Sequence, residues 1–387
     1  MKFINKWENN MICSRCIYDD SIPFIEFDKD GICNYCKEYD QLDKEYPTGN
    51  KGWNILQNIT NKIKKESKNK KYDVVVGVSG GCDSSYLLHM CKELGLRVLA
   101  AHFDNTWNSK IAIENIYKII KPLKIDLYSD VCDNNEYDDI FRSCLLASIP
   151  ESDLATDIGL ATTHYRACEK FGIKYIFEGH SFRTEGITPH GWVYMDARYR
   201  DSVHQKFGKL KNINTIPNLY ITKWFKWILI NKIKKIRPLY YIDYDKEYVK
   251  RFLKDTYDWQ WYGGHHMENR SSYFANNYYC PKKFGIDLRY CEYSGLIRSK
   301  KLSREEALEK IKKPEIFDQK ILSEIKVRLN FSDLEFKNIM NSSKKSYKNY
   351  KTYKKLFEIL KPLFWIMYKL QLVPKSFYSK FTRKYEK

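Results

Sequence analysis

Within the stretch VVVGVSGGCDSSYLLH, Val74–His89, three hydroxyls, two glycines and one carboxylate crowd into seven positions: Ser79, Gly80, Gly81, Asp83, Ser84 and Ser85 surround Cys82. Glycines let the backbone approach an anion closely and turn its N–H groups toward it. The serines add hydroxyl donors, and a helix opening near Ser84 would aim its positive end at the same point. Asp83 would repel a phosphate unless a cation stood between them, so its presence implies Mg²⁺. No Gly-Lys-Ser/Thr ending follows the glycines, and no G-x-G-x-x-G is present, so neither the Walker loop nor the dinucleotide fingerprint applies. Cys82 sits at the start of that helix, where a thiol can be activated. No base partner for it is evident, and space-filling is the expected role.

A second chemistry lies upstream. Cys13 and Cys16 in CSRC, and Cys33 and Cys36 in CNYC, form two C-x2-C pairs separated by sixteen residues. That spacing suits a tetrahedral Zn²⁺ in a ribbon or knuckle. The intervening IPFIEFDKDGIC reads as a short hairpin turning at Asp30-Gly31. A closed four-cysteine site staples a small module rather than catalysing.

Strands and helices must position these groups. DVVVGV (73–78) reads as a buried strand, followed by a helix from Ser84 to about Leu94. RVLAAHF (97–103) precedes a helix over 109–123, KIDLYS (124–129) reads as a third strand, and a helix over 157–172 leads to strand KYIFEG (174–179). Alternation of apolar strands with amphipathic helices predicts an α/β, doubly wound parallel sheet. NKIKKESKNKK (61–71) reads as a solvated connector, and KWFKWILINKIKKIRP (223–238) as a basic amphipathic helix. Ser303 with Glu306 three residues on predicts a capped helix start. The expected organisation is a zinc ribbon at 1–45, a charged linker or helix at 46–72, the nucleotide core at 73–200, a mainly helical substrate part at 201–330 and a basic amphipathic tail at 331–387.

A strand, S-G-G-x-D-S and then a helix resembles the PP-loop ATP pyrophosphatases, whose fold is adenine nucleotide alpha hydrolase-like and which cleave ATP to AMP and pyrophosphate. The resemblance implies ATP contacts at Ser79, Gly80, Gly81, Asp83, Ser84 and Ser85, adenosine near Asp104 in HFDNTW, and the α-phosphate near Gly179 and His180 in FEGHSFRTEG. Sites in such sheets form at the carboxyl ends of the strands, where all three segments would converge.

Further blocks narrow the class. RPLYYIDYDKEYVKRFL, DWQWYGGHHMENRSSYF, CPKKFGIDLRYCEYSGLIRSKKLSREEALEKI and ASIPESDLATD resemble the N-acetyl sugar amidotransferases of the WbpG type, from about Cys13 to Pro314 and not beyond about 330. That family implies an ATP-dependent replacement of an acetamido oxygen by ammonia, giving an acetamidino sugar in O-antigen, lipopolysaccharide or related surface-glycan synthesis. The implied substrate is a nucleotide-activated N-acetyl sugar. Lys283 and Arg289 resemble the late cations that PP-loop enzymes aim at pyrophosphate and with Asp83 are the expected catalytic residues, while Thr184, Glu185 and His266 are the expected substrate contacts. Gly263-Gly264-His265-His266 departs from the pattern, which has Lys at its third position, and this puts the role of His265 in doubt.

Lys2 stands where a glutaminase would need its cysteine, and the resemblance implies that ammonia comes from a separate glutaminase subunit of the histidine-biosynthesis type with a channel-forming partner. A PP-loop thiolase or ligase acting on tRNA is the competing class, and a non-catalytic zinc-ribbon nucleic-acid binder the third. Net charge is +19, but residues 341–387 carry thirteen Lys/Arg against Glu358 and Glu386. With that tail set aside the remainder is only moderately basic, and nucleic acid is not the expected partner. The N-terminal residues lack a signal-peptide pattern and no long apolar span occurs, so a cytoplasmic protein is expected. The Lys-, Leu-, Phe- and Trp-rich stretch 347–370 suits either packing on the body or peripheral association at the inner face of the membrane.

Overall fold

In the computed structural model, residues 11–264 and 266–384 are described. The four expected strands are present as β1 (Val74–Gly77), β2 (Val98–Asp104), β3 (Asp126–Val131) and β4 (Tyr175–Phe177). A fifth, β5 (Lys234–Ile236), completes a parallel sheet of order β3-β2-β1-β4-β5. Alternate residues face opposite layers, as the strand period requires. Val74, Val76, Val98 and Ala100 pack into one core, and Val75, Leu99 and Ala101 into another. The helices α1 (Asn34–Glu45), α2 (Gly49–Glu66), α3 (Cys82–Glu93), α4 (Lys110–Leu123), α5 (Asn134–Leu146), α6 (Leu154–Phe171) and α7 (Ala197–Phe207) belong to this first half. α3 lies against the first layer, through Leu87 and Leu88, and α6 against the second, through Tyr165 and Cys168. The sheet is therefore doubly wound. The chain leaves β1 toward β2 and β3, then returns to β4 on the other side, so the switch point lies between β1 and β4.

Two expectations change. Residues 61–71 are not a solvated connector throughout: α2 runs through to Glu66, with Leu56 and Ile63 buried in the first layer's core. Nor is 223–238 one helix. It breaks into α8 (Ile221–Phe225), a π-helical turn (Lys226–Ile230) and β5. Its aromatic residues are drawn onto the body, Trp227 stacking on Tyr165 at 5.0 Å and Trp224 on Phe377 at 5.0 Å. Lys235 then pairs with Glu178 at 2.6 Å, beside β4.

The later part is helical, as expected: α9 (Lys246–Tyr257), α10 (Arg270–Phe274) running into a π-helical segment (Ala275–Phe284), α11 (Arg289–Arg298), α12 (Arg304–Lys312), α13 (Gln319–Arg328) and α14 (Asp333–Asn341). α12 opens with the Ser303–Glu306 capping box. The basic tail forms α15 (Lys354–Ile359), α16 (Lys361–Lys369) and α17 (Lys375–Thr382). It is not a detachable appendage, because Phe357, Phe364 and Met367 are buried with Trp224 and Trp227 under the sheet's second layer.

Candidate functional site

The loop after β1 is held by contacts that fix its backbone. Gly80 has φ +78°, and a Cβ there would lie 2.1 Å from the Ala112 carbonyl oxygen, so only glycine fits. Its own carbonyl accepts from Trp259 Nε1 at 3.1 Å and Asn115 Nδ2 at 3.3 Å. Ser79 Oγ accepts from the Gly81 N–H at 3.2 Å, and Ser84 Oγ donates to the Gly81 carbonyl at 3.2 Å. α3 opens one residue later with Gly81 as its N-cap, and Ser85 is buried in its first turn. Gly179, just past β4, lies where a Cβ would be 3.2 Å from the Ser84 nitrogen. The loop and the Gly-His segment thus meet at the topological switch point, the usual ligand crevice of such sheets.

A small cavity of about 60 Å³ opens here, lined by Ser79, Gly81, Asp83 and Ser84 from the loop and by Glu185, Lys246, Tyr262, His266 and Glu268 from later segments. Asp83 accepts from Tyr244 Oη and pairs with Lys246 Nζ at 3.2 Å. Burial opposes the charge on Lys246, but Asp83 and Glu185 outweigh it and raise its pKa. Glu185 is pushed up to about 8, chiefly by burial and then by Asp83. One carboxylate oxygen of Glu268 is buried with no hydrogen-bond partner among the described residues, as are Thr184 Oγ1 and Ser181 Oγ. His180 meets Tyr240 Oη at 2.9 Å through Nδ1 and is pushed down to about 3 by burial, with Arg237 adding. Arg183 pins this segment, donating to Asp43 at 2.6 Å and to the carbonyls of Tyr46 and Tyr240 at 2.7 Å. Cys82 is buried beside Tyr244, and burial, followed by Asp83, pushes its thiol up to about 12, which suits a packing role.

A larger cavity of about 510 Å³ adjoins the first through Lys246, and Thr184 and Arg289 stand in its wall with Trp261, Asn276, Asn277 and Tyr293. The sequence-predicted residues therefore separate. Ser79, Gly81, Asp83, Ser84, Glu185 and His266 share one cavity, and Thr184 and Arg289 the other. Asp104 lines neither; its carboxylate accepts from the Thr106 N–H at 2.8 Å and Asn108 Nδ2 at 3.0 Å, closing the turn after β2. Lys283 is not brought to the site. Its ammonium is buried against the C-terminal end of α14, donating to the Ile339 carbonyl, to the Ser342 carbonyl at 3.2 Å and to Ser342 Oγ at 3.0 Å. Sequence reasoning missed Lys246, whose signal was a cation inside the block RPLYYIDYDKEYVKRFL. It also missed Glu268. His265 lies outside the described residues.

The four cysteines converge. Their Sγ atoms all lie within 4.8 Å of one another and are buried. Cys13–Cys36 and Cys16–Cys33 are each 3.8 Å apart, close to the edge of a tetrahedron with metal–sulfur bonds of about 2.3 Å. The donor set thus fits a tetrahedral metal ion. In place of a hairpin with full strands, the segment between the pairs makes a Phe27–Cys33 bridge around Gly31, φ +73°. Arg298 reaches the cluster from α11, donating to Cys36 Sγ at 3.2 Å and Cys16 Sγ at 3.1 Å. At Cys16 burial and then Cys13 oppose ionisation, while Cys33, Cys36 and Arg298 favour it and hold the thiol below its ordinary value.

Fold order, glycine loop and Gly-His segment together define a doubly wound α/β chain with a glycine-rich loop at its switch point, an N-terminal four-cysteine module and a helical C-terminal part. Residues 268–363 match the family model described as LPS biosynthesis protein WbpG-like, C-terminal domain. Over those residues the chain is similar to that domain, and the match runs past residue 330, where the resemblance read from sequence stopped. No curated protein matches the chain. Among solved structures, an NH3-dependent NAD synthetase from Campylobacter jejuni is 15% identical, with 69% of this chain and 99% of that one covered and a TM-score of 0.28. An NMN synthetase from Francisella tularensis is 14% identical, covering 62% and 92%, TM-score 0.27. The U34-tRNA thiolase NcsA from Methanococcus maripaludis is 15% identical, covering 84% and 99%, TM-score 0.29. At these scores the likenesses carry no argument; the fold class rests on strand order and loop geometry. No helix among the described residues is long and apolar enough to cross a membrane.

Proposed function

We propose that the chain is an ATP-dependent amidotransferase acting on the acetamido group of a nucleotide-activated 2-acetamido sugar. The observation that carries this reading is the join between the two cavities. Lys246 lines both, and much of the larger one is walled by the WbpG-like domain, from Asn276 and Asn277 to Arg289, Tyr293 and Lys310. An acceptor seated there would present its acetamido oxygen to ATP held on the loop. That oxygen attacks the α-phosphorus and pyrophosphate departs; ammonia then adds to the imidate carbon, and the carbon–oxygen bond breaks with its oxygen and electron pair leaving on AMP, giving an acetamidine. The order is chemically required, since an amide carbonyl resists nitrogen attack until its oxygen can leave.

The loop N–H groups and Lys246 supply fixed positive potential toward the phosphates. Asp83 and Glu268 are the carboxylates that would hold Mg²⁺ there, one Glu268 oxygen being buried without a hydrogen-bond partner among the described residues. The four cysteines would hold Zn²⁺ in a structural role. Acidic residues match the cations in the larger cavity, with Asp245, Glu247, Asp287, Glu292 and Glu315 beside Lys246, Lys250, Arg289, Lys301 and Lys310. Such a lining suits sugar hydroxyls and amides better than a polyanionic RNA backbone. Ammonia would come from a separate glutaminase, and the product would enter a surface glycan.

The test is AMP and pyrophosphate release from ATP with ammonium and either UDP- or CMP-linked acetamido sugars, or bulk tRNA. Turnover with a sugar and not with tRNA is expected. Turnover with tRNA alone would overturn the proposal.

A further inference from the structure

The helix pair α15–α16 is apolar on two faces, and among the described residues only one of them is packed against the body. Inward, Phe357, Phe364 and Met367 are buried with Trp224, Trp227 and Ile228. Outward, Ile359, Leu363, Ile366 and Leu370 recur at intervals of four, three and four residues and are 74%, 39%, 49% and 62% exposed. Trp365 is 49% exposed beside them, with the Lys369 ammonium 5.6 Å from its ring. A surface helix of a soluble domain keeps one apolar stripe, turned to the core. A second stripe bare to solvent marks an interaction face.

The charges around it choose the occupant. Lys351, Lys355, Lys361 and Lys369 are all exposed. Glu358, the sole acidic residue among the described residues of 341–387, pairs with Lys354 at 3.3 Å. A second copy of the chain would bring lysines against lysines. A surface that is apolar beneath and anionic above satisfies both features, with Trp and Lys at the level where they are favoured in interfacial helices. We propose that the outer face of α15–α16 docks on an anionic membrane surface, lying in its plane. Neither helix could span a bilayer: α16 has nine residues, about 14 Å at the usual rise. The attachment is independent of the proposed reaction and can fail without it.

Full-length protein would be sedimented with vesicles of phosphatidylcholine alone and of an equimolar mixture with phosphatidylglycerol. Binding to the anionic vesicles is expected. It should fall about tenfold or more both in high salt and in a variant carrying Ile359→Ser, Leu363→Ser, Ile366→Ser and Leu370→Ser. A second variant, Lys355→Glu with Lys361→Glu and Lys369→Glu, leaves the apolar stripe intact and should lose the preference for anionic vesicles. This keeps the idea open to refutation even if the serine variant folds poorly. Protein remaining in the supernatant with both vesicle types, or a serine variant that folds and binds as the parent does, would overturn the proposal. So would sedimentation equilibrium showing that the same stripe joins two copies, or a soluble protein partner that covers it.

Discussion

Asp83 and Lys246 are 163 positions apart in the chain and meet at 3.2 Å beside the glycine loop. An ammonium there, buried yet kept charged by Asp83 and Glu185, is placed to face whatever anion the loop holds. Lys246→Met should lower kcat for pyrophosphate release about 100-fold, the scale of losing one preorganised electrostatic donor. Lys283→Met should behave oppositely. It strips the buried end of α14 of charged hydrogen bonds and should cost about 2 kcal/mol of stability, with kcat of the folded enzyme unchanged. Thermal unfolding and steady-state assays separate the two. Glu185 yields a pH prediction. Its ordinary pKa of 4.5 is raised to about 8, so between those values the folded chain binds a proton that the unfolded chain has released. Stability linked to Glu185 therefore falls as pH rises from about 4.5 to about 8. Glu185→Gln should flatten that part of the Tm–pH curve, and an unchanged slope would refute the assignment. The loop's glycines and serines could be named from sequence because their chemistry is local. Lys246 could not be singled out, because one more lysine in a charged helix looks solvated until Asp83 is seen beside it.

Among the elements, α11 links two places. Its first turns bring Arg289, Glu292 and Tyr293 to the larger cavity, and its last residue, Arg298, reaches the thiols of Cys16, Cys33 and Cys36. The helix is held close to the Ser181–Gly186 segment, and a Cβ at Gly295 would lie 2.8 Å from the Gly186 backbone. Gly295→Ala must push α11 outward and should cost about 1–3 kcal/mol as overpacking. KM for the acceptor should rise while KM for ATP stays near the parent value; equal effects on both would place α11 elsewhere in the mechanism. Elements were legible from sequence in proportion to their length and period. The buried runs of β1 and β2 stand out as unbroken apolar strings. β5 does not: it is three residues, Lys-Lys-Ile, at the sheet's edge, and the preceding tryptophans and isoleucines recur at helical spacing. What makes it a strand is pairing with β4 and the Lys235–Glu178 contact, neither of which a local pattern contains.

For the molecule as a whole, the four-cysteine module packs as one unit with the helices that wall the larger cavity. One apolar core joins Cys13, Ile17, Tyr18 and Tyr35 to Trp192, Tyr290, Cys291, Ala307 and Ile311. Arg304 adds to this from α12, donating to the carbonyls of Cys13 and Cys16. The spacing of the cysteines announced the metal set, but not where it docks, since that depends on apolar contacts between segments some 270 residues apart. A tetrahedral ion would balance the thiolates that Arg298 alone cannot, and its removal would leave a buried guanidinium facing competing thiols. Loss of the ion should therefore loosen α11 and α12 together with residues 11–45, and spare the sheet, whose two layers share none of the described residues with that core. Hydrogen exchange on chelator-treated protein should show protection lost over residues 11–45 and 289–312 and kept over β1, β2 and β4. Nucleotide binding, measured by calorimetry, should survive while acceptor binding weakens about tenfold or more, the scale of disturbing groups that orient a metal set. Arg298→Met should reproduce part of that pattern with metal present, and a loss confined to residues 11–45 would show the module to be a separate appendage.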